Sequence, residues 1–119
     1  MNIKGKKVLV AGCGVSGVAA AQLLYKIGAQ PVMFDTNTEL KKEDVLVRFE
    51  EACEVEFVTG KVEKELMEQL SLVVISPGIP VDADFVEEFR QNNLPVWGEI
   101  ELAYQFAKGG IVAITGTNG

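Results

Sequence analysis

The sequence predicts an α/β protein with a Rossmann-like, mostly parallel sheet of five strands and helices on both faces. Short apolar runs typical of buried strands alternate with longer segments whose apolar residues recur at helical spacing. A glycine-rich turn over residues 12–17 joins the first strand to the first helix. A sixth apolar run, residues 111–114, predicts one additional C-terminal strand, which we assign to a further domain.

The strands and helices follow one another in regular order. Strands are predicted over 8–11, 32–34, 55–58, 72–75 and 94–97. Helices are predicted over 16–27, 40–53, 62–70, 82–92 and 99–108. The third strand alternates in polarity, which predicts an edge position, whereas the fully apolar fourth strand should be central. Gly28 is expected to follow the first helix as its C′ residue, and Asp82 to cap the fourth.

The second predicted helix is rich in Lys and Glu. Its inner stripe is predicted to consist of Leu46, Phe49, Ala52 and Cys53.

Composition excludes several classes of function. Of the 119 residues 48% are apolar, enough for a core, and the net charge of −6 argues against a nucleic-acid-binding protein. An anionic ligand must therefore be held by local groups, because the overall field repels it. No apolar segment approaches the length of a membrane span, and the N-terminus does not resemble a signal peptide. These observations favour a cytoplasmic location.

Cysteine and histidine usage gives no sign of a metal site. The two cysteines, Cys13 and Cys53, lack Cys-x-x-Cys spacing, and the chain contains no histidine. A zinc site is therefore not expected. Both thiols are expected to be reduced and mostly buried.

The first strand is followed by a phosphate-binding pattern, G-x-G-x-x-G. In this pattern Gly12 permits the tight turn, Gly14 lets a ligand approach the backbone, and Gly17 lets helix and strand pack closely. The backbone N–H groups of Val15, Ser16 and Gly17 would then face a diphosphate at the start of the helix. A tight turn without a ligand is the alternative.

The second strand ends at Asp35, followed by Thr36. In a dinucleotide fold a carboxylate at this place accepts the ribose hydroxyls, which suggests NAD. It could equally accept the imide N–H of a uracil, or cap a helix, and the sequence of this loop does not decide among the three.

Two more loops follow strands. Ser76-Pro77-Gly78-Ile79-Pro80 is a stiff turn that could enclose a flat ring or offer the Ser76 hydroxyl to a ligand. Glu99 and Glu101 are spaced by two and do not share one helix face, so we interpret them as solvated acids at a helix start.

The last residues resemble the opening of an ATP-binding loop. Gly116, Thr117, Asn118 and Gly119 follow the apolar strand 111–114. The full pattern continues with Lys and Ser or Thr, which would reach the phosphates and Mg²⁺. The printed sequence stops before them.

In combination, these motifs resemble the N-terminal part of the Mur ligases, in particular the D-glutamate-adding members. The resemblance covers essentially the whole chain. It rests on the glycine-rich turn with Ala19-Ala20, then on Phe34-Asp35, on residues 76–80, on Pro95-Val96-Trp97-Gly98-Glu99-Ile100-Glu101-Leu102-Ala103 and on Ile114-Thr115-Gly116-Thr117-Asn118-Gly119.

The resemblance implies a domain division and a set of ligands. Residues 1–97 would form a domain that binds UDP-N-acetylmuramoyl-L-alanine, and residues 98–119 a linker helix and the start of an ATP-binding domain. Gly14, Val15, Ser16 and Gly17 would hold the diphosphate. Asp35 and Thr36 would read the uracil, and Ser76, Pro77 and Gly78 would surround the ring or ribose. Asn37 stands where relatives can carry a basic residue and is assigned no role.

The resemblance also implies a reaction for the intact enzyme. ATP, with magnesium, would phosphorylate the substrate carboxylate, and the amine of D-glutamate would attack the acyl phosphate. The 119-residue fragment is expected to bind no cofactor or metal and to catalyse nothing. The intact enzyme is expected to be a monomer, without nucleic-acid or membrane partners, whereas the fragment could self-associate through residues 111–114.

A rival hypothesis is an NAD-binding domain of a dehydrogenase or a redox-sensing regulator. It explains the glycines and Asp35. It does not explain residues 116–119, and the chain offers no histidine or other evident proton relay for hydride chemistry.

Overall fold

The computed structural model describes residues 3–49, 54–80 and 82–107 and contains one five-stranded sheet. The strands are β1 Lys7–Ala11, β2 Gln30–Asp35, β3 Glu56–Thr59, β4 Leu70–Ile75 and β5 Val96–Gly98. The helices are α1 Val15–Lys26, α2 Lys42–Leu46, α3 Lys64–Gln69, α4 Asp84–Gln91 and α5 Glu99–Ala107. The predicted strand over 111–114 lies outside the described residues.

The sheet is parallel throughout, with strand order β3-β2-β1-β4-β5. The chain starts in the middle, proceeds outward through β2 to β3, and then returns to the other side of β1 as β4. The order therefore reverses between β1 and β4, which is where ligands bind in open sheets of this kind. The predicted Rossmann-like sheet, the edge position of β3 and the central position of β4 are confirmed.

Each face of the sheet is covered by helices over an apolar layer. Alternate residues of β1 point to opposite faces, so Val8 and Val10 belong to one core cluster and Leu9 and Ala11 to the other. The first cluster includes residues of α1, α2 and α5, and the second includes residues of α3 and α4. Burial on both faces explains why these strands read as continuous apolar runs.

Helix α5 packs on the sheet, although the sequence assigned it to a linker. Its Leu102 is buried in the same cluster as the inner face of α1. Helix α5 begins directly after β5, at Glu99, where the change of element was predicted.

Helix α1 ends as predicted, because Ile27 is the C-cap and Gly28 follows with a φ of +96°. In this conformation, disfavoured for other residues, the Gly28 N–H donates to the Tyr25 carbonyl.

Two helix predictions were wrong in detail. Helix α2 is much shorter than predicted and ends at Leu46, after which the N–H groups of Arg48 and Phe49 bond to carbonyls three residues back. Of the predicted inner stripe, Leu46 is exposed, and Val45 is the buried residue of the helix instead. Phe49 packs against the core as predicted. Ala52 and Cys53 lie outside the described residues. Helix α4 starts at Asp84 after Ala83, without a side-chain cap, so Asp82 is not its N-cap.

Candidate functional site

The loops after β1, β2 and β4 meet at the point where the strand order reverses. The Gly12 N–H donates to the Phe34 carbonyl at 2.7 Å, and the Ser76 N–H donates to the Ala11 carbonyl at 3.1 Å. These bonds continue the strand pairing by one residue. They bring all three predicted loops together at the carboxyl ends of the strands. The geometry places the glycine-rich turn between the other two loops.

Two glycines of this turn are required by the protein's own packing. Gly12 has a φ of +100°, and a Cβ on it would lie 2.7 Å from the Ser76 hydroxyl oxygen. A Cβ on Gly17 would collide with the carbonyl oxygen of Gly12. Helix α1 can therefore approach the turn this closely only because residue 17 has no side chain.

Gly14 differs from the other two glycines. Its φ of −77° suits any residue, and a Cβ on it would meet no described heavy atom within 4 Å. The protein itself supplies no steric reason for glycine here. The backbone on this side is open, as it would need to be for a ligand to approach it closely.

The N-terminus of α1 presents free backbone donors beside Gly14. In the described part of the chain, no protein acceptor is recorded for the N–H groups of Val15, Ser16 and Gly17. Gly14 is the N-cap and provides no side-chain bond, and the first turn contains no acidic residue. The positive end of the helix dipole and these donors suit an anion. Val15 is 85% exposed, so access to this end is open.

The carboxylate of Asp35 forms two hydrogen bonds among the described residues. Its Oδ2 accepts the Cys13 N–H at 3.2 Å, and its Oδ1 accepts the Asn37 N–H at 2.9 Å. Helix α2 is capped by Lys41, so Asp35 is not a helix N-cap and that alternative is wrong. A carboxylate has about four acceptor positions, which leaves about two for a ligand. Asn37 has a structural role, because its Oδ1 accepts the Glu39 N–H at 3.0 Å.

The loop after β4 forms a tight turn with an unpartnered hydroxyl. The Ile79 N–H donates to the Ser76 carbonyl at 3.0 Å, which closes a turn with Pro77 at its second position. The Ser76 Oγ is buried and has no hydrogen-bond partner among the described residues. Pro77 and Gly78 are exposed, and a Cβ on Gly78 would meet nothing within 4 Å.

A cleft of about 210 Å³ lies between the loops. Asp35, Thr36 and Gly78 are on its lining, whereas Gly14, Val15, Ser16, Gly17, Ser76 and Pro77 are not. Its apolar side includes Phe34 and Phe85, whose ring centroids are 5.7 Å apart. An apolar wall with a carboxylate at one edge suits a flat ring that carries an N–H donor.

A larger concavity of about 690 Å³ lies at the other end of the sheet, near the starts of β2 and β3. It contains none of the predicted site residues, and its charged lining mixes Lys42 with Glu54 and Glu56. A position beside the amino ends of the strands is not where this class of fold binds ligands.

Arg48 contacts the glycine-rich turn, which the sequence did not predict. Its Nη1 donates to the carbonyl oxygen of Cys13 at 2.6 Å, from a position 35 residues along the chain. In the sequence it falls within the helix predicted over 40–53, which is rich in Lys and Glu. The one available signal was that it is one of only two arginines in an acidic chain.

The Cys13 thiol is buried and poorly reactive. Burial raises its pKa to about 12, the nearby Asp35 carboxylate adds to the rise, and Arg48 opposes it. The thiol is therefore protonated at neutral pH, as expected for a structural cysteine. Cys53 lies outside the described residues.

The two helix-start acids differ from each other. Glu101 is exposed and accepts a hydrogen bond from Gln105 at 2.7 Å, as expected of a solvated acid. Glu99 was expected to be solvated too, but its Oε2 is buried and has no partner in the described chain, so that prediction was wrong. The turn from β5 into α5 brings this side chain inward.

Over residues 3–49, 54–80 and 82–107, no group of three or more His, Cys, Asp or Glu side chains could hold a metal ion. In the same ranges, no helix has the length and hydrophobicity needed to span a membrane. Residues 116–119, predicted to open an ATP-binding loop, lie outside them.

Comparison with solved structures agrees with the fold. Shikimate dehydrogenase from Aquifex aeolicus matches with a TM-score of 0.52 and 12% identity, over 92% of this chain and 48% of that chain. Identity this low indicates a shared Rossmann-like architecture and nothing about chemistry.

Sequence comparison is more specific. Residues 6–98 match the family model for the Mur ligase MurD-like N-terminal domain. UDP-N-acetylmuramoylalanine–D-glutamate ligase of Lachnoclostridium phytofermentans is 46% identical over 119 residues, and that of Thermoanaerobacter sp. strain X514 is 44% identical over 122. Each match covers 100% of this chain, which spans 26% of the length of each relative. The chain therefore belongs to the family of MurD-like Mur ligase N-terminal domains.

Proposed function

We propose that this chain binds the uridine diphosphate end of UDP-N-acetylmuramoyl-L-alanine, as the first domain of a ligase that adds D-glutamate to this precursor of peptidoglycan. The observation that carries the proposal is the open backbone at Gly14, which directly precedes the free N–H groups of α1 and follows by two residues Gly12 on the lining of the cleft beside Asp35. The names of the relatives supply the identity of the ligand.

Each predicted residue has a role in this proposal. The N–H groups of Val15, Ser16 and Gly17 take the diphosphate. Asp35 accepts the uracil imide N–H with an unoccupied acceptor position, while Thr36 lies beside it on the lining of the cleft.

The loop after β4 completes the enclosure. Ser76 supports the enclosure from behind the glycine-rich turn, because its hydroxyl oxygen is buried there against Gly12 and has no partner among the described residues. Pro77 and Gly78 border the space that the ring and ribose would occupy.

The remaining activity is proposed for the longer ligase. There ATP and magnesium activate the substrate carboxylate as an acyl phosphate, D-glutamate supplies the attacking amine, and residues 116–119 open the ATP-binding loop. The 119 residues alone are proposed to be inactive, because they do not include the lysine and the Ser or Thr that complete such a loop. We propose a monomeric, cytoplasmic ligase, divided after residue 97; the family match ending at residue 98 supports that boundary.

Ligand-dependent stabilisation provides the test. A ligand that binds only the folded state raises its stability by RT ln(1 + [L]/Kd), or about 2.7 kcal/mol at a concentration of 100 Kd. Thermal unfolding should therefore shift upward with UDP and with UDP-N-acetylmuramoyl-L-alanine, and remain unchanged with NAD. A shift with NAD and none with uridine nucleotides would refute the proposal. Phosphate release from ATP with D-glutamate should be absent for the 119-residue chain.

A further inference from the structure

Arg48 is the one arginine in the described chain beside the glycine-rich turn, and no ion pair of its side chain is recorded there. It donates to the Cys13 carbonyl, a neutral group, at 2.6 Å. The ion pairs recorded among the described residues join Lys7 to Glu56 and Arg90 to Glu87, and neither involves Arg48. Residue 48 is exposed, so guanidinium N–H groups other than the one bound to Cys13 remain accessible.

The covalent chain sets an upper limit on the distance between the guanidinium and the start of α1. The Cys13 carbonyl oxygen and the Val15 nitrogen are five bonds apart, so about 5 Å at most separates them. The Nη1 atom of Arg48 therefore lies within roughly 8 Å of the Val15 N–H. A diphosphate bound to that N–H would place its oxygens about 3 Å from it, within the range of a long, exposed arginine side chain.

Charge balance favours such a cation. The chain carries a net charge of −6, so a ligand with two phosphate groups approaches against an unfavourable overall field. The helix N-terminus contributes only partial charges, which salt screens. Arginine presents a planar fork of donors that matches phosphate oxygens and stays charged at any physiological pH.

We propose that Arg48 is the cation that pairs with the diphosphate of the bound nucleotide, while its bond to Cys13 holds the glycine-rich turn. This inference rests on the proposed function and adds a residue that determines the preference for the diphosphate. One guanidinium N–H holds the Cys13 carbonyl, and the others donate to phosphate oxygens. The loop after α2 thereby becomes part of the nucleotide site.

A ligand series that adds phosphates one at a time tests the inference. Uridine, UMP and UDP are titrated into the 119-residue chain, with binding followed by NMR chemical shifts at two salt concentrations. In the Arg48→Gln variant, the Kd for UDP should rise about tenfold or more, with a smaller rise for UMP and none for uridine. The salt dependence of UDP binding should also weaken. Arg48→Lys should recover part of the UDP affinity.

A matched control and the distinguishing outcomes complete the design. Arg90→Gln removes the other arginine, which pairs with Glu87 on α4, and should change no Kd. An equal loss of affinity for uridine and UDP in Arg48→Gln would overturn the inference, because Arg48 would then only position the loop. A UDP Kd within twofold of wild type would overturn it too. Both results leave the proposed function intact; a wild-type chain that binds no uridine ligand refutes the function and the inference together.

Discussion

Replacing Gly14 with alanine should separate ligand binding from folding. The backbone angles of Gly14, φ −77° and ψ −169°, are open to alanine, and the new Cβ would meet no described atom within 4 Å. Alanine restricts the unfolded chain, which stabilises the fold by about 0.4–1 kcal/mol. It is a poorer N-cap than glycine, which costs about as much. The free energy of unfolding should therefore change by less than about 0.5 kcal/mol.

Binding should respond very differently to the same methyl group. On the proposed function, the diphosphate lies against the open side of Gly14, so the methyl group pushes it away from the helix N–H groups. Losing one charge-assisted hydrogen bond costs about 1.5–3 kcal/mol, which corresponds to a rise of about 10- to 100-fold in the Kd for UDP. Isothermal titration calorimetry measures this change, and urea unfolding measures the stability of the same sample.

Gly98→Ala provides the matched control, because a Cβ on Gly98 also meets nothing within 4 Å but lies outside the predicted ligand contacts. It should leave the UDP Kd unchanged, and the restricted unfolded chain should raise the free energy of unfolding by no more than about 1 kcal/mol. The reasoning fails if Gly14→Ala binds UDP with the wild-type Kd, since no ligand would then approach there. A loss of more than about 2 kcal/mol of stability would instead show that the fold itself requires the glycine.

Three further predictions concern stability. Gly17→Ala should lower the free energy of unfolding by about 1–3 kcal/mol, measured in urea, because its Cβ would collide with the Gly12 carbonyl; wild-type stability would contradict this. The raised pKa of Cys13, from 9.0 to about 12, favours the folded state below pH 9. Between these values the unfolded thiol ionises first, so stability should fall by up to about 1.4 kcal/mol per pH unit relative to Cys13→Ala, and parallel pH profiles would refute it. Deleting residues 110–119 should leave the melting temperature unchanged within about 2 °C, because residues before 108 already form two apolar layers that cover both faces of the sheet; a large drop would assign that segment to the core.

The parts of the fold that sequence predicts well are those fixed by burial. Strands β1 and β4 are enclosed on both faces, which forces continuous apolar runs, and those runs are visible without a structure. The end of α1 was equally predictable from the sequence, because Gly28 adopts a left-handed conformation that other residues avoid. The length of α2 was not predictable, because its charged residues fit a long exposed helix as well as the short one observed.

The candidate site also has parts that the sequence predicts and parts that it does not. The loops bearing Gly14, Asp35 and Ser76 could be located because the end of a parallel strand is defined by pattern, and ends of neighbouring strands share one edge. The bond from Arg48 to Cys13 could not be predicted from the sequence. It depends on how far a flexible side chain reaches between residues 35 apart in the chain. The bond from the Cys13 N–H to the Asp35 carboxylate, which joins residues 22 apart, could not be predicted for the same reason.

The bonds at Cys13 couple the two halves of the proposed ligand site. Asp35 holds the backbone N–H of Cys13 and Arg48 holds its carbonyl, so the glycine-rich turn is fixed before any ligand arrives. Such preorganisation lowers the ordering cost of binding. Asp35→Ala should therefore weaken binding of inorganic pyrophosphate, which has no base, as well as binding of UDP. Calorimetric titration of both ligands decides the point: unchanged pyrophosphate affinity would mean that Asp35 acts on the base alone and that the turn holds its shape without it.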